Sequence, residues 1–179
     1  MTTFINILTL SRIFLAALIF ILLMSPDGYF LALALFLLAG ITDYFDGYFA
    51  RKYHATSQLG EILDPIADKI LILFVLFGLA INLSSYLIGF IGATIITREI
   101  WVGALRDLNA RSGNINATKV TFLAKIKTSI QLFTISVYLF GLAINNMLLI
   151  TIADIFLFVS FFITLYTGLI YSLNTFNLK

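Results

Sequence analysis

Cysteine is absent from the 179-residue chain, and histidine and tryptophan each occur only once. The missing thiols exclude disulfide bonds, thiolate nucleophiles and cysteine-based metal sites. Charged residues make up only 11% of the sequence, whereas hydrophobic residues make up 61%. A soluble domain of this length needs more polar surface, because its helices must present one face to water. The composition therefore predicts a membrane protein without a separate soluble domain, and we take residues 1–179 as one transmembrane domain.

The apolar residues form six blocks separated by short polar gaps. Each block approaches the roughly 20 residues that a membrane-spanning helix requires. The first block encloses its only cation, Arg12, and no A-x-A-like cleavage site follows, so we expect a retained helix rather than a signal peptide. The sequence thus predicts an all-α polytopic membrane protein with six transmembrane helices. The predicted spans are residues 4–24, 29–50, 65–81, 86–108, 119–144 and 147–172.

Lysine and arginine are confined to one side of the predicted bundle. The tight turns at residues 25–28, 82–85 and 145–146 contain neither, whereas all 11 basic residues lie near the opposite helix ends or in the loops there. Cytoplasmic loops of membrane proteins carry an excess of these two residues. We therefore expect both termini, and the loops at 51–64 and 109–118, to lie in the cytoplasm.

Charged residues recur at one depth of the predicted bundle. At 1.5 Å of rise per residue, Asp43, Asp68 and Arg98 lie about 18–22 Å from the outer turns, and Lys127 lies slightly deeper. Ionisable residues inside a membrane usually face the bundle interior or a water-filled cavity. The sequence therefore predicts a polar cavity near the cytoplasmic edge of the hydrocarbon, with charges from four helices.

Four aspartates occur as two pairs in helices 2 and 3. Asp43 and Asp46 are three residues apart, and Asp64 and Asp68 are four apart, so each pair shares one helical face. Four anions so close together must be neutralised by protons or cations. Ligand sets made only of oxygen suit hard divalent ions such as Mg²⁺ or Mn²⁺. We predict a site for two such ions, whose usual chemistry is displacement at phosphorus.

The residues next to the aspartates fit a phosphate-bearing ligand. Gly47 and Ala50 remove side-chain bulk from the same helix and permit close approach of a ligand. Arg51 can bind phosphate through its fork of donors, although it also fits a cytoplasmic anchor. Pro65 is predicted in the first turn of helix 3, where its missing N–H does no harm.

Eight residues between positions 43 and 68 match the pattern D-x₂-D-G-x₂-A-R-x₈-G-x₃-D-x₃-D without a departure. The pattern resembles the signature of the CDP-alcohol phosphotransferases. In that family a nucleotide-activated lipid, usually CDP-diacylglycerol, gives its phosphatidyl group to an alcohol, and CMP leaves. The matching residues are Asp43, Asp46, Gly47, Ala50, Arg51, Gly60, Asp64 and Asp68.

The resemblance implies a role for each matching residue. Asp43, Asp46 and Asp64 would bind the metals. Asp68 would lie at the metals as well and act as the base that takes the hydroxyl proton of the alcohol. The CDP moiety would contact Gly47, Ala50 and Arg51.

Five polar residues outside the signature can be interpreted in more than one way. Asn6, Thr9 and Arg12 recur at three-residue spacing and form a polar stripe. The stripe fits either a surface wetted by lipid headgroups or a wall of the nucleotide pocket, so Asn6 and Thr9 are candidate CDP-lipid contacts. Asp154 on helix 6 is more simply a structural hydrogen-bonding group, and His54 a solvated loop residue.

Three stretches outside the signature resemble the phosphatidylglycerophosphate synthase branch of the family. They are NILTLSR at 6–12, TREIWVGALRD at 97–107 and FLAKIKTSIQ at 122–131. In that branch the acceptor is glycerol 3-phosphate, whose two negative charges require cationic partners. The resemblance also implies a homodimer. The charge-poor loops and the lack of a targeting sequence suit a bacterial inner membrane. The candidate ligands of the acceptor phosphate are Arg98, Arg106, Lys125 and Lys127.

Two alternative functions remain open from the sequence. A cardiolipin synthase of the same family shares the aspartates but uses phosphatidylglycerol as acceptor. A divalent-cation transporter also needs intramembrane carboxylates, but its carboxylates would follow a path across the bilayer, and the nearby cations would repel a permeating ion. The expected partners are CDP-diacylglycerol, glycerol 3-phosphate and membrane lipids, and a net charge of +2 gives no indication of a nucleic-acid partner.

Overall fold

The computed structural model describes residues 2–53, 58–118 and 122–176, and within these ranges it contains helices and turns but no strand. Six long helices account for most of the chain, with one-turn 3₁₀ segments at Pro26–Gly28 and Ile115–Thr118. The all-α prediction with six helices is confirmed. The long helices are α1 (Thr2–Leu22), α2 (Tyr29–Tyr53), α3 (Gln58–Asn82), α4 (Tyr86–Arg111), α5 (Phe122–Ala143) and α6 (Met147–Phe176).

The described helices include four stretches long and apolar enough to cross a membrane: Pro26–Asp43, Tyr86–Arg111, Phe122–Ala143 and Met147–Phe176. A shorter apolar stretch covers Ile7–Leu22. Large apolar side chains are widely exposed on the outside of the bundle, which is the reverse of a soluble protein and suits contact with lipid. The protein is therefore an integral membrane protein.

Three tight turns join the helices at the places predicted. The turn after α3 places Ser84 at a φ of +48°, and the turn after α5 places Asn145 at a φ of +53°. Ser85 then caps α4 by accepting a hydrogen bond from the backbone N–H of Ile88 at 3.3 Å. Near the first turn, the Asn82 amide donates to the Leu23 carbonyl at 2.7 Å, which ties the end of α3 to the α1–α2 connection.

The predicted start of the third helix is wrong. Helix α3 begins at Gln58, so Pro65 lies inside it rather than in its first turn. A proline inside a helix removes one hydrogen bond, to the carbonyl four residues earlier, but does not prevent the preceding residues from being helical. The earlier start places both Asp64 and Asp68 well inside a regular helix, on one face.

The packing of the helices places the site. Helix α1 packs against α2 and α3, while α4 packs against α3 and α6, and α5 packs against α6 and α2. One apolar cluster joins these helices and includes Ile19, Val75, Ile91 and Leu139, each almost fully buried. The polar residues of the predicted site lie toward the helix ends opposite the three tight turns.

We expect Gly28→Ala to destabilise the fold, because a Cβ at this position would lie 2.3 Å from the backbone carbonyl oxygen of Leu22. The resulting overpacking should lower the free energy of unfolding by about 1–3 kcal/mol. Thermal unfolding in detergent measures the change. Gly40→Ala is the matched control, since nothing lies within 4 Å of a Cβ there. A Gly28→Ala protein as stable as the Gly40→Ala protein would contradict the packing described for this turn.

Candidate active site

Three aspartates from two helices converge on one arginine of a third. Arg12 of α1 donates through Nη1 to Oδ1 of Asp68 at 2.6 Å and also to Oδ1 of Asp43. Its Nη2 lies 3.3 Å from Oδ1 of Asp64. Thr9, one turn earlier on α1, donates to the same Asp64 oxygen at 2.7 Å. The structure thus brings three of the four predicted aspartates together, Asp43, Asp64 and Asp68, around Arg12.

The cluster has a buried side and an exposed side. The Arg12 side chain is 1% exposed, whereas the side chains of Asp43, Asp64 and Asp68 are 48%, 45% and 51% exposed. A guanidinium removed from water in this way requires charged partners, because desolvation of an unpaired cation is costly. The carboxylates therefore have one face on Arg12 and another open to a ligand.

Several predicted site residues cannot be compared with this arrangement. The side chains of Asp46, Gly47, Ala50, Arg51 and Asn6 lie outside the described part of the structure. Their predicted roles in metal and CDP-lipid binding remain predictions.

From the sequence we assigned Arg12 only to a polar stripe on helix 1 and did not predict its contacts with the aspartates. A lone cation inside an apolar helix needs an anionic partner. The aspartates of helices 2 and 3 supply the nearest charges at the same depth. That depth comparison could have identified Arg12 as part of the carboxylate cluster.

The donor set fits hard divalent cations. Within the described ranges, no group of three histidine, cysteine or acidic side chains has a ready-made metal-binding arrangement. The three described carboxylates converge on Arg12 instead, and together with Arg12 they carry a formal charge of −2. Half-exposed carboxylate oxygens with residual negative charge are the ligands that Mg²⁺ and Mn²⁺ prefer.

A cavity of about 180 Å³ adjoins the carboxylate cluster between α3, α4 and α5. Asp68 forms part of its wall, and the cations Lys69, Arg106 and Lys127 form other parts. Nζ of Lys69 lies against Gly103 of α4, 3.6 Å from where a Cβ would be, which is an ordinary van der Waals distance. The cavity therefore places one of the signature carboxylates beside three cationic side chains.

Glu99 joins two of the predicted phosphate ligands. It accepts hydrogen bonds from Lys127 and, at 2.9 Å, from Nη1 of Arg98. Lys127 is 4% exposed and Arg98 is 8% exposed, so both cations are largely removed from water. Glu99 also lines the cavity and reduces its net positive charge. The sequence alone gave Glu99 no role.

The four predicted phosphate ligands do not all lie in the cavity. Arg106 and Lys127 line it, whereas the Arg98 side chain points toward α6 and donates to Oγ1 of Thr167 at 2.7 Å. Lys125 is exposed and is not among the residues that line the cavity. Lys69, which the sequence interpretation did not select, takes a place there.

Asp154 has a structural partner. It accepts a hydrogen bond at 2.5 Å from the hydroxyl of Tyr138, a fully buried residue of α5. This contact links α5 to α6 and involves no residue of the carboxylate cluster. It favours a structural role for Asp154.

Tyr138→Phe should therefore reduce stability but not activity. Loss of the buried hydrogen bond, which leaves Asp154 without this donor, should cost about 1–3 kcal/mol. Thermal unfolding and CMP release from CDP-diacylglycerol measure the two effects. Tyr166→Phe, at a 56% exposed position on α6, is the control. Loss of activity in Tyr138→Phe at a temperature where the protein is folded would give the pair a role in the reaction.

The helical membrane fold, the carboxylate cluster and the adjoining cationic cavity define a membrane-embedded enzyme that acts on phosphate groups. The sequence model of the CDP-alcohol phosphatidyltransferase family matches residues 2–166. The chain belongs to this family.

Similar proteins carry one functional name, CDP-diacylglycerol--glycerol-3-phosphate 3-phosphatidyltransferase. The protein of that name from Rickettsia bellii (strain RML369-C) is 37% identical over 171 residues, covering 93% of this chain and 91% of its own. The one from Escherichia coli (strain K12) is 32% identical over 73% of each chain. The one from Sodalis glossinidius (strain morsitans) is 38% identical over 101 residues, and the match spans 56% of each chain.

Proposed function

We propose that the protein transfers the phosphatidyl group of CDP-diacylglycerol to glycerol 3-phosphate, giving phosphatidylglycerophosphate and CMP. The observation that carries this proposal is the cavity in which Asp68 lies beside Lys69, Arg106 and Lys127. A base next to a cluster of cations is what an anionic alcohol requires, because its hydroxyl must lose a proton while its phosphate is held. The names of the similar proteins support the same donor and acceptor.

In the proposed reaction Asp68 takes the proton of the C1 hydroxyl of glycerol 3-phosphate. The hydroxyl oxygen attacks the lipid-side phosphorus of the pyrophosphate, and a new P–O bond forms. The P–O bond to the bridging oxygen breaks, and that oxygen leaves with CMP. The half-exposed position of Asp68, on the wall between the carboxylate cluster and the cavity, gives it access to both substrates.

The proposed metal ligands are Asp43, Asp46, Asp64 and Asp68. When bound there, two Mg²⁺ or Mn²⁺ ions would supply positive charge that stabilises the pyrophosphate as its negative charge increases. Thr9 donates to Asp64 at 2.7 Å and so fixes the orientation of one proposed ligand. The proposed CDP-lipid contacts are Gly47, Ala50, Arg51, Asn6 and Thr9.

The acceptor phosphate is proposed to bind Arg106 and Lys127, with Lys69 as a third cation of the cavity. Arg98 does not line the cavity, so its proposed role is indirect. It donates to the same Glu99 oxygen as Lys127 and so helps to position the acceptor site. Lys125, which is exposed and does not line the cavity, keeps its predicted role as a ligand of the acceptor phosphate. Glu99 is already an anionic partner of Lys127. The cavity wall nevertheless has more cations than carboxylates, and this excess of positive charge favours a phosphate-bearing alcohol.

The orientation and assembly are also proposals. The distribution of lysine and arginine supports a site that opens to the cytoplasm, with both termini on that side. The bacterial origin of the similar proteins supports the inner membrane. We also propose that residues 1–179 form a single domain and that the protein is a homodimer.

The dependence on metal and the identity of the product test the proposal together. Purified protein in detergent receives CDP-diacylglycerol and glycerol 3-phosphate with Mg²⁺, with Mn²⁺ or with a chelator. We expect phosphatidylglycerophosphate and CMP in equal amounts with either ion and neither product with the chelator. Product formation that is unaffected by the chelator would contradict the metal-dependent mechanism.

A further inference from the structure

Arg12 bonds one oxygen of each described carboxylate that the proposed metal site would use. It contacts Oδ1 of Asp43, Asp64 and Asp68, so one side chain bonds all three described carboxylates of the proposed metal site. Its own helix packs against both helices that carry those aspartates. The contacts thus link α1, α2 and α3 through a single buried cation.

The charges show what Arg12 does for the metal-free protein. Three neighbouring carboxylates repel one another. Without a cation between them, this repulsion would favour moving the three side chains apart. A planar guanidinium has five donors in a fixed fork and can bond several carboxylates at once, which an ammonium group cannot match in geometry. Arg12 reaches them from the buried side of the site, since its side chain is 1% exposed.

The same contacts oppose metal binding. A divalent cation bound by these carboxylates would lie close to the positive charge of the guanidinium, and the two like charges would repel. Each oxygen that accepts a hydrogen bond from Arg12 is also a weaker donor toward a metal. The metal and the arginine therefore favour different arrangements of the carboxylates.

We infer that Arg12 is a built-in counter-cation, a positioning residue that holds the three carboxylates together in the metal-free protein and competes with divalent cations for them. This inference rests on the proposed metal site. It predicts that removal of the arginine charge makes the metal-free protein less stable and at the same time makes metal binding tighter. A residue with an ordinary structural role would change stability alone.

The test is a calorimetric titration of chelator-treated protein in detergent with Mn²⁺. The wild type, Arg12→Gln and Arg12→Lys proteins are compared. We expect the dissociation constant for Mn²⁺ to fall by about tenfold or more in Arg12→Gln, because a full charge beside the metal is removed. Arg12→Lys should lie between Arg12→Gln and wild type, since it keeps the charge but loses the fork. Arg111→Gln, at the exposed end of α4, is the matched control and should bind Mn²⁺ like wild type.

Thermal unfolding gives an independent readout. The chelator-treated Arg12→Gln protein should unfold at a lower temperature than wild type, and Mn²⁺ should raise its unfolding temperature by more than it raises that of wild type. Unchanged or weaker Mn²⁺ binding by Arg12→Gln would overturn the inference. The inference expects bound Mn²⁺ to take over the role of the Arg12 charge. Failure of both Arg12 variants to fold in saturating Mn²⁺ would therefore also overturn it.

The outcome for the reaction is separable. If wild type binds Mn²⁺ and releases CMP while Arg12→Gln shows no gain in affinity, only the role of Arg12 is wrong. If wild type binds no Mn²⁺, both the inference and the proposed metal site are wrong.

Discussion

Asp68→Asn is expected to reduce CMP release by about a thousandfold, because an amide cannot take the proton of the attacking hydroxyl. The substitution preserves the shape of the side chain, and Asp43 and Asp64 remain on the same cluster. Metal-dependent binding of CDP-diacylglycerol should therefore be largely retained. Steady-state CMP release and a direct lipid-binding titration measure the two properties on the same preparation.

Asp107→Asn is the control for this change, since Asp107 is an exposed carboxylate on α4 that does not line the cavity. It should release CMP at the wild-type rate. Turnover by Asp68→Asn close to that rate would show that Asp68 is not the base. Loss of lipid binding together with turnover would instead assign Asp68 mainly to metal binding.

Arg106→Gln should raise the KM for glycerol 3-phosphate by roughly 10-fold to 100-fold, the range expected when a charge-assisted hydrogen bond to phosphate is lost. The KM for CDP-diacylglycerol should not change, because Arg106 lies in the wall of the cavity and not in the carboxylate cluster. Arg106 is exposed, but its guanidinium carbon also lies 5.9 Å from the ring centroid of Tyr171, which is 1% exposed, so thermal unfolding of the variant is the control for lost packing. Initial rates at varied concentrations of each substrate separate the two KM values.

Arg111→Gln provides the comparison on the same helix. It removes the same charge five residues further along α4, at the last helical residue. An equal rise in KM for the two variants would indicate a general electrostatic effect on the anionic acceptor. An unchanged KM in Arg106→Gln would remove Arg106 from the acceptor site.

The carboxylate cluster shows how far spacing along the chain predicts a site. The four-residue interval between Asp64 and Asp68 fixes them on one face of α3, and the depth of Asp43 on α2 matches theirs. Helical geometry therefore sufficed to predict that these carboxylates meet. It did not show that Arg12 lies between them, because pairing a lone cation with an anion on another helix requires the packing of α1 against α2 and α3.

The cationic residues show the limit of depth as a criterion. Arg98 and Arg106 are eight residues apart on α4, so they differ by about 80° around the helix. Arg106 shares its face with Glu99 and Val102 and lines the cavity, whereas Arg98 shares its face with Trp101 and packs toward α6. The sequence selected both as ligands of the acceptor phosphate, although they lie about 12 Å apart along the helix axis. The direction of each side chain depended on where the neighbouring helices lie.

The start of α3 was mispredicted for a different reason. Proline was taken as a marker of the first helical turn, yet a helix can begin earlier and accept one missing hydrogen bond at Pro65. The residues before it, from Gln58 onward, are less apolar than the span itself. Hydropathy detects the part of a helix that lies in lipid and not the turns that extend beyond it.

The most direct test of the central claim is CMP release by purified protein with CDP-diacylglycerol and Mg²⁺, with glycerol 3-phosphate, phosphatidylglycerol, inositol or serine offered in separate reactions. We predict release with glycerol 3-phosphate alone, because the excess of cations in the cavity wall suits its doubly charged phosphate monoester. Phosphatidylglycerol carries a singly charged phosphodiester, and inositol and serine carry no phosphate. Release with phosphatidylglycerol and not with glycerol 3-phosphate would keep the carboxylate chemistry but identify a cardiolipin synthase. No release with any acceptor, accompanied by divalent-cation flux in liposomes, would contradict the account and favour a transporter.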